Sequence, residues 1–346
     1  MRYFKHFKFA LPVAAILLVT ACGTTPVEPT GPVVGDFFDF QSKADTRMII
    51  HSLDEEVTHI NQTFYTSHIS ADGTRIQQRL QALNQDMTIV LEKRDGAVRQ
   101  VFAWAEFPIW EDITGIGEIM DLVILQEPLE LGNTWDNGMG GVSEITGTDL
   151  SISTPAGDFT GVLQVTTLFP GMSDYSISYF APGVGLVSDT YTSVFQETAF
   201  SASTHLVDMV SGGIPATIFT LYPDAQALGL DYDAVEVEVV TNQDFAQLFT
   251  QLIQANMPSL ANVSVNEVSI DRDNGLITVD FSPELLATAT GSGAEQLLLY
   301  SLANKFGLFF HLEEFALTVA GANYESGHIT LADGETIRVG SGLGLW

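Results

Sequence analysis

Apolar positions in the C-terminal part of the chain fall into two periods, and the switches between them set the expected elements. In Gly275–Leu312, Ile277, Val279 and Phe281 alternate with polar neighbours, which predicts a strand halted by Pro283. From Ala294 on, Leu298, Ala303 and Phe306, with Leu297, Leu299 and Leu302 beside them, form a broad apolar helical face. Ser292 and Glu295 have the spacing of a capping box at the start of that helix, and Gly307 suits a left-handed end. Upstream, Ala216–Tyr222 and Val235–Val240 read as strands, and Thr241 with Asp244 has the spacing of a second capping box. Phe245, Leu248, Phe249, Leu252 and Ile253 follow at i, i+3, i+4, i+7 and i+8, an amphipathic helix closed by Pro258. Val263–Ile270 and Leu276–Phe281 flank the turn Asp271–Gly275, and Phe315–Val319 supplies a last strand. The order is β-β-α-β-β-α-β, an α+β arrangement with helices on one face of a small sheet.

Residues 36–210 read differently. Asp72-Gly73 and Asp95-Gly96 separate strand-like runs, and glycine there accepts the positive φ that tight hairpins require. Further turns are expected at Pro155–Gly157 and within Tyr179–Val187. The pattern predicts an antiparallel β-rich domain, a curved sheet or open barrel, ending at Ser211-Gly212-Gly213. Trp104, Trp110 and Trp135 are read as core residues of this region.

The first residues speak to location. Arg2, Lys5 and Lys8 precede an apolar run, Phe9–Val19, that is too short for a mature transmembrane helix and fits a secretory signal. The following Val19-Thr20-Ala21-Cys22 resembles the lipobox of bacterial lipoproteins. That resemblance implies removal of residues 1–21, lipid attachment at Cys22, and a chain held on the outer face of the cytoplasmic membrane. Cys22 is the single cysteine among 346 residues, which argues against a disulfide framework. Residues 22–35, rich in Pro, Gly and Thr, are expected to be a flexible tether.

Three of the 13 basic residues and none of the 43 acidic ones lie in residues 1–21, so the remainder carries a net charge of −33. Such a surface excludes nucleic acid as a partner, since binding a polyanion needs a basic footprint. It also assigns membrane attachment to the lipid. With 46% hydrophobic residues the chain is globular, and its length suggests two domains.

The segments TPAGDF (Thr154 to Phe159), YFAPGVGLV (Tyr179 to Val187) and TRIQQRL (Thr74 to Leu80) resemble a β-rich module of bacterial envelope lipoproteins. VDFSPELL (Val279 to Leu286), GSGAEQ (Gly291 to Gln296), FALTVAG (Phe315 to Gly321) and SGHITLADGE (Ser326 to Glu335) resemble the GerMN domain, named for sporulation and spore-germination proteins. The GerMN resemblance places a domain over residues 214–340. Together the two resemble two-domain lipoproteins of spore-forming and related Gram-positive bacteria. They imply a non-catalytic envelope protein that binds protein partners or copies of itself.

Motifs for other chemistry are missing. Asp271, Asp273 and Asn274 lack the spacing of a calcium loop and read as a turn. Asp224, Asp231 and Asp233 read as a solvated acidic loop with at most weak calcium binding. His51, His59, His68, His205, His311 and His328 form no zinc signature. No nucleophile elbow surrounds a serine, and Lys305 follows no phosphate loop. Glu313 and Glu314, adjacent on a strand, point to opposite faces, unlike a glycosidase pair. The sequence therefore assigns no catalytic residue, cofactor or metal. Besides partner binding, a ligand held by the curved β-module and, less favoured, a wall hydrolase are the other readings.

Overall fold

Alternation of inward apolar and outward polar side chains, interrupted at tight turns, generates twelve antiparallel strands before residue 212. These are β1 (Thr46–Ser52), β2 (Gln62–Ile69), β3 (Arg75–Ala82), β4 (Gln85–Arg94), β5 (Ala97–Trp104), β6 (Leu122–Gln126), β7 (Thr134–Asp136), β8 (Val142–Thr154), β9 (Gly157–Leu168), β10 (Tyr175–Ala181), β11 (Gly185–Phe195) and β12 (Thr198–Ser211). The computed structural model describes residues 35, 44–52, 62–82, 85–195, 198–223, 230–288 and 291–342. The export segment, Cys22, the tether apart from Gly35, His59 and Asp224 therefore lie outside the described residues.

The strands form one sheet in the order β6-β5-β4-β3-β2-β1-β12-β11-β10-β9-β8-β7. Its two edges approach each other. The Val123 amide donates to the Asn137 carbonyl at 2.9 Å, and the Trp135 indole donates to the Val123 carbonyl at 3.1 Å. The result is a nearly closed barrel, which removes most exposed sheet edge. Between β4 and β5, Asp95 and Gly96 adopt φ of 54° and 67°, the conformation that lets a two-residue turn follow the strand twist.

Beyond Gly213 come β13 (Ile214–Pro223), β14 (Leu230–Val239), α1 (Phe245–Asn256), β15 (Val265–Asp271), β16 (Leu276–Phe281), α2 (Ser292–Phe310), β17 (Glu314–Val319), β18 (Ala322–Asn323) and β19 (Ile337–Arg338). The first seven follow the order read from the sequence, but they build two sheets instead of one. β13 and β14 form a separate ribbon, while β15–β18 form the other sheet, in which β17 also pairs with β19. The β16–β17 pair is parallel, with α2 as its crossover. Ser301 and Lys305 of α2 meet β13, whereas Phe306 packs on Phe281 and Phe315 of the sheet. A helix covered from both sides must be apolar around most of its circumference, as α2 is.

Neither expected capping box forms. Gly291 occupies the cap of α2 without a side-chain bond, and Glu295 is buried. Its carboxylate instead accepts the Tyr324 hydroxyl at 2.8 Å and the Ser326 hydroxyl. Asp244, not Thr241, caps α1 by accepting the Gln247 amide at 3.0 Å. The Thr241 hydroxyl bonds the Thr66 carbonyl at 2.7 Å, which ties the second region to the barrel. Gly307 does not end α2. His311 takes the left-handed position at φ 56°, and Gly307 sits inside the helix beneath Val339. Asp231 and Asp233 belong to β14, not to a loop.

A Cβ on Gly307 would lie 2.1 Å from Val339 Cγ2. Gly307→Ala is therefore expected to lower stability by about 1–3 kcal/mol through overpacking, despite alanine's better helix propensity. Urea midpoints of the two proteins measure it, and an equal or higher midpoint for the variant would contradict the close approach.

Candidate functional site

The pleat that alternates side chains along each strand sends one set into the barrel. Met48, Ile50, Phe64, Ile89, Leu91, Ile124, Phe180 and Leu186, with Gln78, Gln100 and Ser178, line an interior cavity of about 260 Å³. They come from β1 to β6, β10 and β11, so the cavity lies between the two halves of the sheet. Apolar clusters flank it, one containing Ile76, Leu125 and Val165, the other Val162, Val187 and Leu206.

The polar lining is largely satisfied by the protein. Gln100 reaches the Met120 sulfur at 3.4 Å, and the Ser178 hydroxyl donates to Asp189 at 2.6 Å. Burial pushes the Asp189 carboxyl above the usual carboxylate range, offset in part by that serine bond. What remains for a guest is mainly an apolar wall, with no arrangement of nucleophile, base and oxyanion donors.

The opposite face of β3 and β4 is covered by the segment 105–121. The buried Gln77 amide holds it, donating to the Ile109 and Glu111 carbonyls at 3.1 and 3.0 Å and accepting the Ile113 amide at 2.8 Å. Trp110 on this segment stacks on Phe309 of α2 at 5.0 Å, with the Arg79 guanidinium 3.8 Å from its ring. Phe107 stacks on His311 at 5.3 Å, and Glu111 pairs with Arg272. Tyr65 and Trp110 of the barrel region thus join the buried core of the second region, and both regions lie in a single compact unit, Pro32–Trp346.

Of the residues singled out from sequence, Trp110 and Trp135 are buried, whereas Trp104 is 36% exposed. Asp271 accepts the Asn274 amide in a 3-10 turn closed by left-handed Gly275, a local arrangement that explains the acidic run. Among the described residues, no group of three His, Cys, Asp or Glu side chains is placed to hold a metal. Glu314 accepts the Thr336 hydroxyl at 2.7 Å, bracing β17. Ser292 begins α2 and lines a surface cleft of about 480 Å³ with Gln296, Tyr300, Glu335 and Arg338.

Sequence reasoning did not anticipate the burial of His68, Glu295 or Lys305. Each stands in an ordinary local pattern, and only contacts from distant segments remove it from water. Lys305 is fully buried, its amine donates to the Thr220 hydroxyl at 3.1 Å, and desolvation pushes its pKa down to about 8. Because the fold disfavours the charged amine, this residue costs stability below pH 8, and the cost fades as pH rises toward the unfolded value near ~10.4. Lys305→Met is expected to gain roughly 1–3 kcal/mol at pH 7 and little at pH 10. Denaturant titrations at both pH values check this, and a gain that grew with pH would reverse the assignment.

No protein-family model matches the chain, and no curated protein does. Among solved structures, it is similar to a proposed exported protein with a YmcC-like fold from Bacteroides fragilis, with TM-score 0.32 and 11% identity over 49% of this chain and 97% of that one. A proposed lipoprotein from Parabacteroides distasonis gives TM-score 0.32 and 14% identity over 50% of this chain and 98% of that one. A chain of the Pseudomonas aeruginosa MucA/MucB complex gives TM-score 0.27 and 9% identity over 53% and 57%.

Proposed function

We propose that the chain is an exported envelope lipoprotein, anchored through Cys22 on the outer face of the cytoplasmic membrane, that binds an apolar ligand in its barrel without transforming it. The observation that carries this reading is the interior cavity, where eight of eleven lining residues are apolar. Its volume of about 260 Å³ lies just under the roughly 300–1,000 Å³ of small-molecule sites, which suits a short acyl chain or one ring system. Burying such a guest yields about 0.8 kcal/mol per methylene. Export is supported by the basic, apolar and Ala21-Cys22 sequence of the first residues.

The full chain is expected to bind an environment-sensitive naphthylamine probe that medium-chain fatty acids displace. Leu186→Trp, which fills the cavity, should weaken binding by at least about tenfold while leaving circular dichroism unchanged. Undiminished probe binding by a folded Leu186→Trp protein would reject the barrel as the site.

A second reading, partner binding or self-association through residues 214–340, is favoured by the β13–β14 ribbon. Phe219 and Tyr232 make a T-shaped pair at 5.8 Å yet remain 40% and 64% exposed. Exposed aromatic anchors of this kind are common centres of protein interfaces. Under this reading, cross-linking on intact cells captures a second protein, and Phe219→Ser with Tyr232→Ser abolishes the captured band.

A further inference from the structure

One end of the barrel carries a band of apolar side chains that stand in solvent. Ile119, Met139, Val142, Leu168, Met172 and Phe200 are each between 42% and 70% exposed. Their backbones are neighbours. Gly138 approaches the Asp121 carbonyl so closely that a Cβ there would lie 2.0 Å from it, which sets Met139 beside the end of the 105–121 segment. Val142 pairs with Leu168. The turn 169–174, which carries Met172, is fastened to β11 by Asp174, whose carboxylate accepts the Tyr191 hydroxyl at 2.7 Å and the Val194 amide at 3.1 Å. Phe200 pairs with Ser193 of that same strand. Single exposed apolar residues are ordinary, but a connected set on one rim marks a contact surface.

This rim lies at the end of the barrel nearer the cavity. Because neighbouring strands are antiparallel, β1 ends, and β2 and β6 begin, at the end where β8, β10 and β12 begin. Ile50, Phe64 and Ile124, which line the cavity, each stand two positions from those strand ends. Charge selects the occupant. Residues 137–142 and 168–173 contain no charged side chain, in a chain whose net charge beyond residue 21 is −33, and Asp121 beside them is paired with Arg99 at 2.7 Å. A basic partner would find no acid at these tips, and a second copy would bring the same strong negative charge against the first. An apolar medium meets neither obstacle. A bilayer also lies within reach of a lipid-anchored chain: the 24 residues from Cys22 to Asp45 span at most about 80 Å, against about 45 Å for the 14 residues of β12.

From this arrangement we infer that the rim docks on a lipid bilayer, with Met139 and Met172 inserted at the boundary between headgroups and acyl chains and the cavity end of the barrel turned toward the membrane. The lipid at Cys22 supplies attachment, and the rim supplies orientation. Passage of an apolar guest between bilayer and barrel without crossing water rests on the barrel-binding reading, whereas the contact itself does not.

Co-flotation with phosphatidylcholine vesicles tests the contact, using the chain from Cys22 onward made without lipid, which keeps the whole compact unit and lacks the anchor. Saturable binding is expected. Vesicles rich in phosphatidylglycerol should bind less at low ionic strength, and salt should narrow the difference, because the chain is strongly negative. Met139→Ser/Met172→Ser should weaken binding at least about tenfold. Leu131→Ser/Tyr232→Ser removes two comparably exposed side chains, at 68% and 64%, that lie at the opposite end of the barrel and on the ribbon, and should change it less than about twofold. A polarity-sensitive dye on the single cysteine of Cys22→Ser/Met172→Cys should shift to the blue when vesicles are added, and the same dye on Cys22→Ser/Leu131→Cys should not; this pair reads the contact even where a double serine variant fails to fold. Flotation by a protein that binds no naphthylamine probe keeps the contact and rejects the barrel reading. No flotation, equal weakening by the two double variants, equal dye shifts at both positions, or a preference for anionic vesicles would overturn the inference, and a dimer in sedimentation without vesicle binding would assign the rim to a second copy instead.

Discussion

The buried Gln77 amide is the point on which the rest of the architecture depends. A primary amide offers two donors and an acceptor lone-pair pair, and here both ends are spent on the backbone of one irregular segment. Without those bonds, residues 105–121 would leave carbonyls and an amide unpaired against a sheet face that excludes water. With them, the segment becomes a fixed layer that places Trp110 against Phe309, Phe107 against His311, and Glu111 against Arg272. The second region is therefore packed onto the barrel through this segment as well as through the direct bonds of Thr241 to Thr66 and of Asn242 to Ile69.

That arrangement separates two environments. Inside the barrel, polar groups bond to one another and leave an apolar wall, a setting in which dispersion and the hydrophobic effect favour an uncharged guest. At the junction, carboxylates accumulate around a floor of aromatic and aliphatic side chains, and the bonds that hold Asp112 and Asp244 in place use only one oxygen of each. The strong negative charge of the chain is thus not uniform in consequence. On the barrel's outer strands it keeps the surface solvated, whereas at the junction it gathers Glu111, Asp112, Asp244 and Glu267 around one cleft.

Local patterns translated well where local forces dominate. The turns at Asp95-Gly96 and Asp271–Gly275 follow from backbone conformation within a few residues, and the apolar stripe of α1 buries Phe249, Leu252 and Ile253 as its spacing requires. The capping patterns failed for a physical reason. Ser292 and Glu295 have the right spacing, but the energy of a local cap is small beside that of two hydroxyl bonds in a buried site, and Tyr324 and Ser326 claim the carboxylate. Likewise Thr241 is drawn to the Thr66 carbonyl, a partner 175 positions away.

Taken alone, the sequence determined the alternation of the strands, their hairpin turns, the two helices and the acidic, single-cysteine character of the chain, since these depend on residue types and spacings of a few positions. The tertiary structure decided whether the large sheet closes around a cavity, that the second region splits into a ribbon and a separate sheet, and that His68, Glu295 and Lys305 leave water. Those outcomes depend on which distant surfaces meet, and neither periodicity nor composition carries the geometry of that meeting.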